Sequence, residues 1–154
     1  MSDAIIRTTA LTRDFKHTRA VDDLTIEVPP GIAFGFLGPN GSGKTTTIRM
    51  LLGLVTPTAG HASVLGFDVA RESGKIREQS GVLLEHSGIY ERLSAEDNLE
   101  LYGRITHMPT GERHARIKVL LQSFGLWDRR KDRAGTWSRG MKQKLAVARA
   151  ILHR

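Results

Sequence analysis

The sequence predicts an α/β fold in which a β-rich first third passes through a glycine-rich loop into helices. Three observations predict it. Short β-favouring runs at 4–9 and 24–28 precede a nearly continuous apolar run, I-A-F-G-F-L, at 32–37. That run leads straight into the glycine-rich stretch 38–45. From residue 94 onward, apolar positions recur with the 3.6-residue period of helices that bury one face.

Taken in order, Pro29-Pro30-Gly31 is a turn between the second run and the third. The run 32–37 has the apolar continuity of a strand buried on both faces. A helix is expected over 45–52, stopped by Gly53 and Pro57. Strands at 62–65 and 81–85 flank a short polar helix over 73–79. Ser94 and Asp97 form a capping box, with Asp where Glu or Gln is commoner. Behind it Leu99, Tyr102 and Ile105 make an apolar face, and Pro109 breaks the pattern. Ile117, Leu120, Leu121 and Phe124 repeat at i, i+3, i+4, i+7 up to Gly125. Ser138 is placed as the N-cap of a last helix whose shared face is Met141, Leu145, Ala148 and Leu152. The chain stops inside or just after that helix, with no capping residue, and reads as cut rather than finished.

Composition narrows the function classes. A chain of 154 residues with 40% apolar and 25% charged residues can build one domain with a hydrophobic core. No apolar run approaches the roughly 18 residues of a membrane span, and the N-terminus has no signal-peptide pattern. The absence of cysteine excludes disulfides and thiolate metal sites. The six histidines lack ligand-like spacing. The net charge of +7 suggests nucleic acid until its distribution is examined. Residues 129–154 hold nine Lys or Arg against Asp132 alone, whereas 1–128 hold 14 basic and 15 acidic residues. The basicity is one terminal segment rather than a spread patch with interleaved aromatics; it is read as a solvated or phosphate-facing helix, and no nucleic-acid partner is expected.

Residues 38–45 read G-P-N-G-S-G-K-T and match the phosphate-binding pattern G-x-x-x-x-G-K-[ST]. Gly38, Gly41 and Gly43 permit backbone angles that let successive N–H groups turn inward around phosphate oxygens. Pro39 has no N–H, so the donors start at Asn40 and run on through Ser42 toward Thr46. Lys44 supplies an ammonium for the β- and γ-phosphates. Thr45 offers a hydroxyl to Mg²⁺, and the helix that follows adds the positive end of its dipole. The expected ligand is ATP with Mg²⁺.

Residues 137–150, W-S-R-G-M-K-Q-K-L-A-V-A-R-A, resemble the signature motif of ABC-type ATPases. The resemblance implies that Ser138, Arg139, Gly140 and Met141 face the γ-phosphate of a nucleotide held by a partner subunit. The common form of the motif is L-S-G-G-Q, so Trp137, Arg139 and Met141 depart from it. Phe15 falls where the family carries an aromatic that stacks on adenine. Glu85 falls where the family's Q-loop glutamine contacts Mg²⁺, and a carboxylate retains that capacity. Residues 87–99 look like the segment leading into the helical subdomain that docks on membrane subunits, in wording similar to drug and lipid exporters.

The fold so implied is a P-loop NTPase core of the ABC ATPase type. It has an N-terminal antiparallel β-subdomain and a helical subdomain, divided at about 1–86 and 87–154. The C-terminal part of the core sheet, with Walker B and its catalytic Glu, would lie beyond Arg154. The implied function is the ATP-binding subunit of an ABC transporter, a hydrolase when complete. It would work as a head-to-tail dimer with a second copy, on an integral membrane permease. The implied location is cytoplasmic, peripheral on the inner face of the cell membrane. Two alternatives stay open: a non-transport ABC ATPase of DNA repair or translation, and a short remnant that binds nucleotide without hydrolysing it. Only 53 residues separate Glu85 from Ser138, room for a compact helical subdomain rather than a long coiled coil. The 154-residue chain alone is expected to be inactive.

Overall fold

The computed structural model describes residues 4–83 and 88–153. The chain divides into two compact units, Met1–Gln79 and Ser80–Arg154.

The first unit is organised by a four-stranded sheet in the order β2-β1-β3-β4. Its strands are β1 (Ile6–Phe15), β2 (Thr18–Val28), β3 (Ala59–Val64) and β4 (Phe67–Asp68), every pair antiparallel. β1 is rich in Thr and runs longer than the sequence suggested, because it is paired on both edges. Its register with β2 shifts three times, and threonine hydroxyls take up the backbone groups those shifts release. The Thr8 hydroxyl donates to the Leu24 carbonyl at 2.8 Å and accepts the Ile26 N–H at 3.0 Å. Thr12 accepts the Asp23 N–H at 3.1 Å, and Thr25 accepts the Ala10 N–H at 2.9 Å. Ladder bonds lost at a bulge must be replaced where the chain is buried, and Thr8 is only 1% exposed.

Helix α1 (Lys44–Leu51) and helix α2 (Ser73–Glu78) bury Met50 and Ile76 into a core with Leu11, Val21, Ala62, Val64 and Val69. The run 32–37 corrects the sequence expectation. It forms no strand, and Ile32, Phe34 and Leu37 are exposed. An apolar run specifies a wish for burial, but a strand exists only by pairing, and no described residue offers these backbone groups a partner. Likewise, 81–83 form no strand, and the rest of that expected element lies outside the described residues.

The second unit is built on α3 (Ala95–Ile105), α4 (Thr110–Ser123) and α5 (Arg139–Ala150). Leu99, Ile117, Leu121, Leu145 and Leu152 meet in its core, joined by Leu126, Ala134 and Trp137 from the loop between α4 and α5. Ser94 caps α3 as expected, its hydroxyl accepting the Asp97 N–H at 3.0 Å. Ile105 is a second correction: it is 58% exposed. Six residues beyond Leu99 is a rotation of roughly 240°, which leaves the face that Leu99 and Tyr102 share.

A buried charge also ties this unit together. Arg113 on α4 is 6% exposed and forks onto Glu100 of α3, with N–O distances of 2.7 and 2.9 Å. Its Nη1 donates to the Met108 carbonyl at 2.7 Å. The arginine stem passes over Gly103, where a Cβ would come within 2.4 Å of its Cδ. The Arg113 hydrogen bond, reinforced by Arg104, holds the Glu100 carboxyl down at about 2.

Candidate nucleotide-binding site

The glycine loop opens onto a cavity of about 250 Å³ lined by Asn40, Gly41, Gly43, Lys44, Thr45 and Thr46, with Thr18 and Ala20 from β2. The loop lies between the exposed run 32–37 and α1, so its last residues are also the first turn of a helix. The Gly43 carbonyl accepts the first helical bond, from Thr47 N–H at 2.8 Å, and also the Thr47 hydroxyl at 3.0 Å. Among the described residues, the N–H groups of Gly43, Lys44, Thr45 and Thr46 have no acceptor. Four adjacent donors at the positive end of a helix dipole make an anion site.

Two conformations make this geometry possible. Gly41 and Gly43 have φ of 83° and 85°, a region that side chains disfavour. Gly43 also stands where a Cβ would lie 2.2 Å from the Ala20 carbonyl oxygen. Backbone of β2 and backbone of the loop therefore touch without a side chain between them.

Lys44 folds over the loop. Its ammonium donates to the Gly38 carbonyl at 2.7 Å, the Pro39 carbonyl at 2.6 Å and the Ser42 hydroxyl at 3.4 Å. Carbonyls are the acceptors that a phosphate oxygen would replace with a charged one, which strengthens each bond. The donor set fits a polyphosphate: backbone N–H groups, an ammonium, and the Thr45 hydroxyl as a hard oxygen suited to Mg²⁺. Glu85, the other expected metal contact, lies outside the described residues. No carboxylate lines this cavity among the described residues.

Phe15 ends β1 and pairs directly with Thr18. Paired side chains share a sheet face, so Phe15 stands on the face that Thr18 presents to the cavity. Phe15 is 42% exposed. Thr18 and Ala20 were not foreseen as lining residues. Their signal in the sequence was weak: alternate positions on one strand, meaningful only once the hairpin register is known.

On the second unit, Ser138 caps α5, its hydroxyl accepting the Met141 N–H at 3.3 Å. Ser138, Arg139 and Gly140 are exposed. Met141 is half-buried, packed on the core with its sulfur 3.6 Å from the Arg129 guanidinium. Trp137 is 4% exposed and fills the core. Three neighbouring interactions fix this turn on the segment before α3. Ala134 and Gly135 donate N–H groups to the carbonyls of Leu93 and Glu91, each at 2.9 Å. Lys142 reaches the Glu91 carboxylate at 2.6 Å. Much of the terminal basicity is spent in this way, since Arg129 pairs with Asp132 and Arg149 donates to the Gly88 carbonyl.

The sequence G-x-x-x-x-G-K-T running into the first turn of a helix has the form of a phosphate-binding loop. Residues 21–154 match the model of the ABC transporter family. Over 139 residues the chain is 39% identical to the ABC transporter ATP-binding protein NatA of Bacillus subtilis, covering 90% of this chain and 56% of that one. It is 41% identical over 149 residues to the bacitracin transport ATP-binding protein BcrA of Bacillus licheniformis, with coverages of 97% and 48%. It is 39% identical over 147 residues to the daunorubicin/doxorubicin resistance ATP-binding protein DrrA of Streptomyces peucetius, with coverages of 96% and 44%. A solved ATP-binding subunit of an ABC transporter superposes with a TM-score of 0.86 at 30% identity, covering 97% of this chain and 62% of that one. The chain belongs to the ABC transporter family, on the side of its ATP-binding proteins. It spans about half the length of the curated relatives it matches.

Proposed function

We propose that this chain is the nucleotide-binding part of an ABC transporter ATPase, taking the ATP polyphosphate, with Mg²⁺, on residues 38–46. The observation that carries it is the row of unpartnered N–H groups from Gly43 to Thr46 beneath the Lys44 ammonium. In this reading the N–H groups and Lys44 hold the phosphates, Thr45 holds the metal, and Phe15 carries the base. Mg²⁺ would supply charge neutralisation as the γ-phosphoryl group leaves. Ser138, Arg139 and Gly140, exposed on the other unit, serve the nucleotide of a second copy in a head-to-tail pair, with Met141 fixing their turn from behind. A membrane permease completes the transporter, and this subunit works on the inner face of the membrane. No helix among the described residues is long and apolar enough to cross the membrane itself. The names of the relatives, bacitracin transport and daunorubicin resistance, favour an exporter.

Hydrolysis needs a group to orient the attacking water, and among the described residues no carboxylate lines the cavity. The 154 residues by themselves are therefore proposed to bind ATP without turning it over. Phosphate release at the level of a Lys44→Ala control is the expected result. Turnover well above that control would contradict this division of labour.

A further inference from the structure

The Arg13 guanidinium lies over the Phe15 ring, 4.5 Å from its centroid. This is well within the roughly 6 Å over which a cation and an aromatic face attract. The arginine is anchored from the other side, donating from Nη1 to the Thr56 carbonyl at 2.7 Å. The same stretch is laced to β1 twice more, by Thr58 N–H to the Thr12 carbonyl at 2.9 Å and by Asp14 N–H to the Thr58 hydroxyl at 3.0 Å. Among the described residues no carboxylate pairs with Arg13, and its Nε is buried without a hydrogen-bond partner. Its charge is thus directed at the ring rather than neutralised beside it.

We infer that Arg13 is a positioning residue for the nucleotide base: it backs Phe15 so that the ring presents its opposite face at the rim of the phosphate cavity. This rests on the reading of Phe15 as the base-stacking residue and adds to it. Two effects follow from the geometry. Covering one face leaves the ring one open face and restricts its rotamers, so less freedom is lost when a base arrives. A cation behind the ring draws π-density away from the front, which favours stacking by an electron-rich purine. The cavity volume of about 250 Å³ suits a phosphate chain better than a whole nucleotide, so the base falls outside it, on the side where Phe15 stands with its partner Thr18. The Arg13–Phe15 pair then sets affinity for the base and leaves the polyphosphate contacts alone.

The test titrates the purified chain with ATP and, separately, with inorganic triphosphate, which has no base. Arg13→Gln keeps a donor for the Thr56 carbonyl and removes the charge; Arg13→Lys keeps the charge. Arg13→Gln is expected to weaken ATP about fivefold and leave triphosphate unchanged, with Arg13→Lys restoring most of the loss. Phe15→Ala should weaken ATP at least as much, and the double variant Arg13→Gln/Phe15→Ala no further than Phe15→Ala. If Phe15→Ala weakens ATP while Arg13→Gln does not, the backing role is overturned and the stacking reading survives. If Arg13→Gln weakens both ligands alike, Arg13 only braces the loop at Thr56, and the inference is overturned. If Phe15→Ala leaves ATP binding intact, the stacking reading falls and the inference falls with it.

Discussion

Gly43 and the Ala20 carbonyl are in direct backbone contact: a Cβ on Gly43 would sit 2.2 Å from that oxygen. The relationship joins the phosphate loop to β2, and through Thr18 and Ala20 it makes the strand one wall of the cavity. Sequence motifs explain Gly43 by its backbone angles alone. The contact adds a second, independent reason.

Gly43→Ala is accordingly expected to do more than disturb ligand binding. The left-handed conformation costs a side chain about 1–2 kcal/mol, and the collision with β2 backbone requires the loop to move. Thermal melting should fall by several degrees, and ATP affinity should be lost. Gly41→Ala meets nothing within 4 Å and should show only the conformational part of the loss. Equal melting temperatures for the two variants would refute the role of the Ala20 contact.

The ion pair between Glu100 and Arg113 gives the helical unit a pH dependence. The Glu100 carboxyl lies at about 2 in the folded chain against 4.5 when unperturbed. A depressed folded value means that its stabilisation is complete above about 4.5 and is lost as pH falls toward 2. Arg113→Met removes the partner from a carboxylate that is largely buried, at a cost of about 3 kcal/mol. Melts from pH 7 down to pH 3 should show a steeper acid loss for the natural chain than for Glu100→Gln. Parallel curves would remove Glu100 from the account.

Two serine caps offer a comparison. Ser94 binds the Asp97 N–H at 3.0 Å and also donates to its carboxylate at 2.6 Å, whereas Ser138 makes one bond of 3.3 Å. Ser94→Ala should cost about 1 kcal/mol and Ser138→Ala about half of that. Denaturant midpoints of the two variants check the order. A larger loss at Ser138 would mean that the signature turn depends on its serine for folding rather than for a ligand.

The phosphate loop was legible because its chemistry is contiguous: eight neighbouring residues carry donors, charge and turn geometry together. Helices were legible for a similar reason, as with Ile117, Leu120 and Leu121, all buried as their spacing required. What the sequence hid depends on register or on space left by another residue. Thr18 lines the cavity from a strand whose register with β1 had first to be known. The burial of Arg113 depends on Gly103 of the neighbouring helix, which leaves a gap for its stem. The run 32–37 misled in the opposite direction, since apolar continuity says nothing about whether a pairing strand is at hand. Trp137, a departure from the usual signature wording, is explained by packing: it fills the core beneath the cap that Ser138 forms.

The central claim is that the polyphosphate of ATP lies on the free N–H groups of 43–46 under Lys44. Calorimetric titration of Mg²⁺-ATP into the natural chain and into Lys44→Ala tests it most directly. Removing a charged donor from the site should weaken binding about a hundredfold, with the melting temperature of the free chain little changed. Equal affinity of the two proteins for Mg²⁺-ATP would contradict the account.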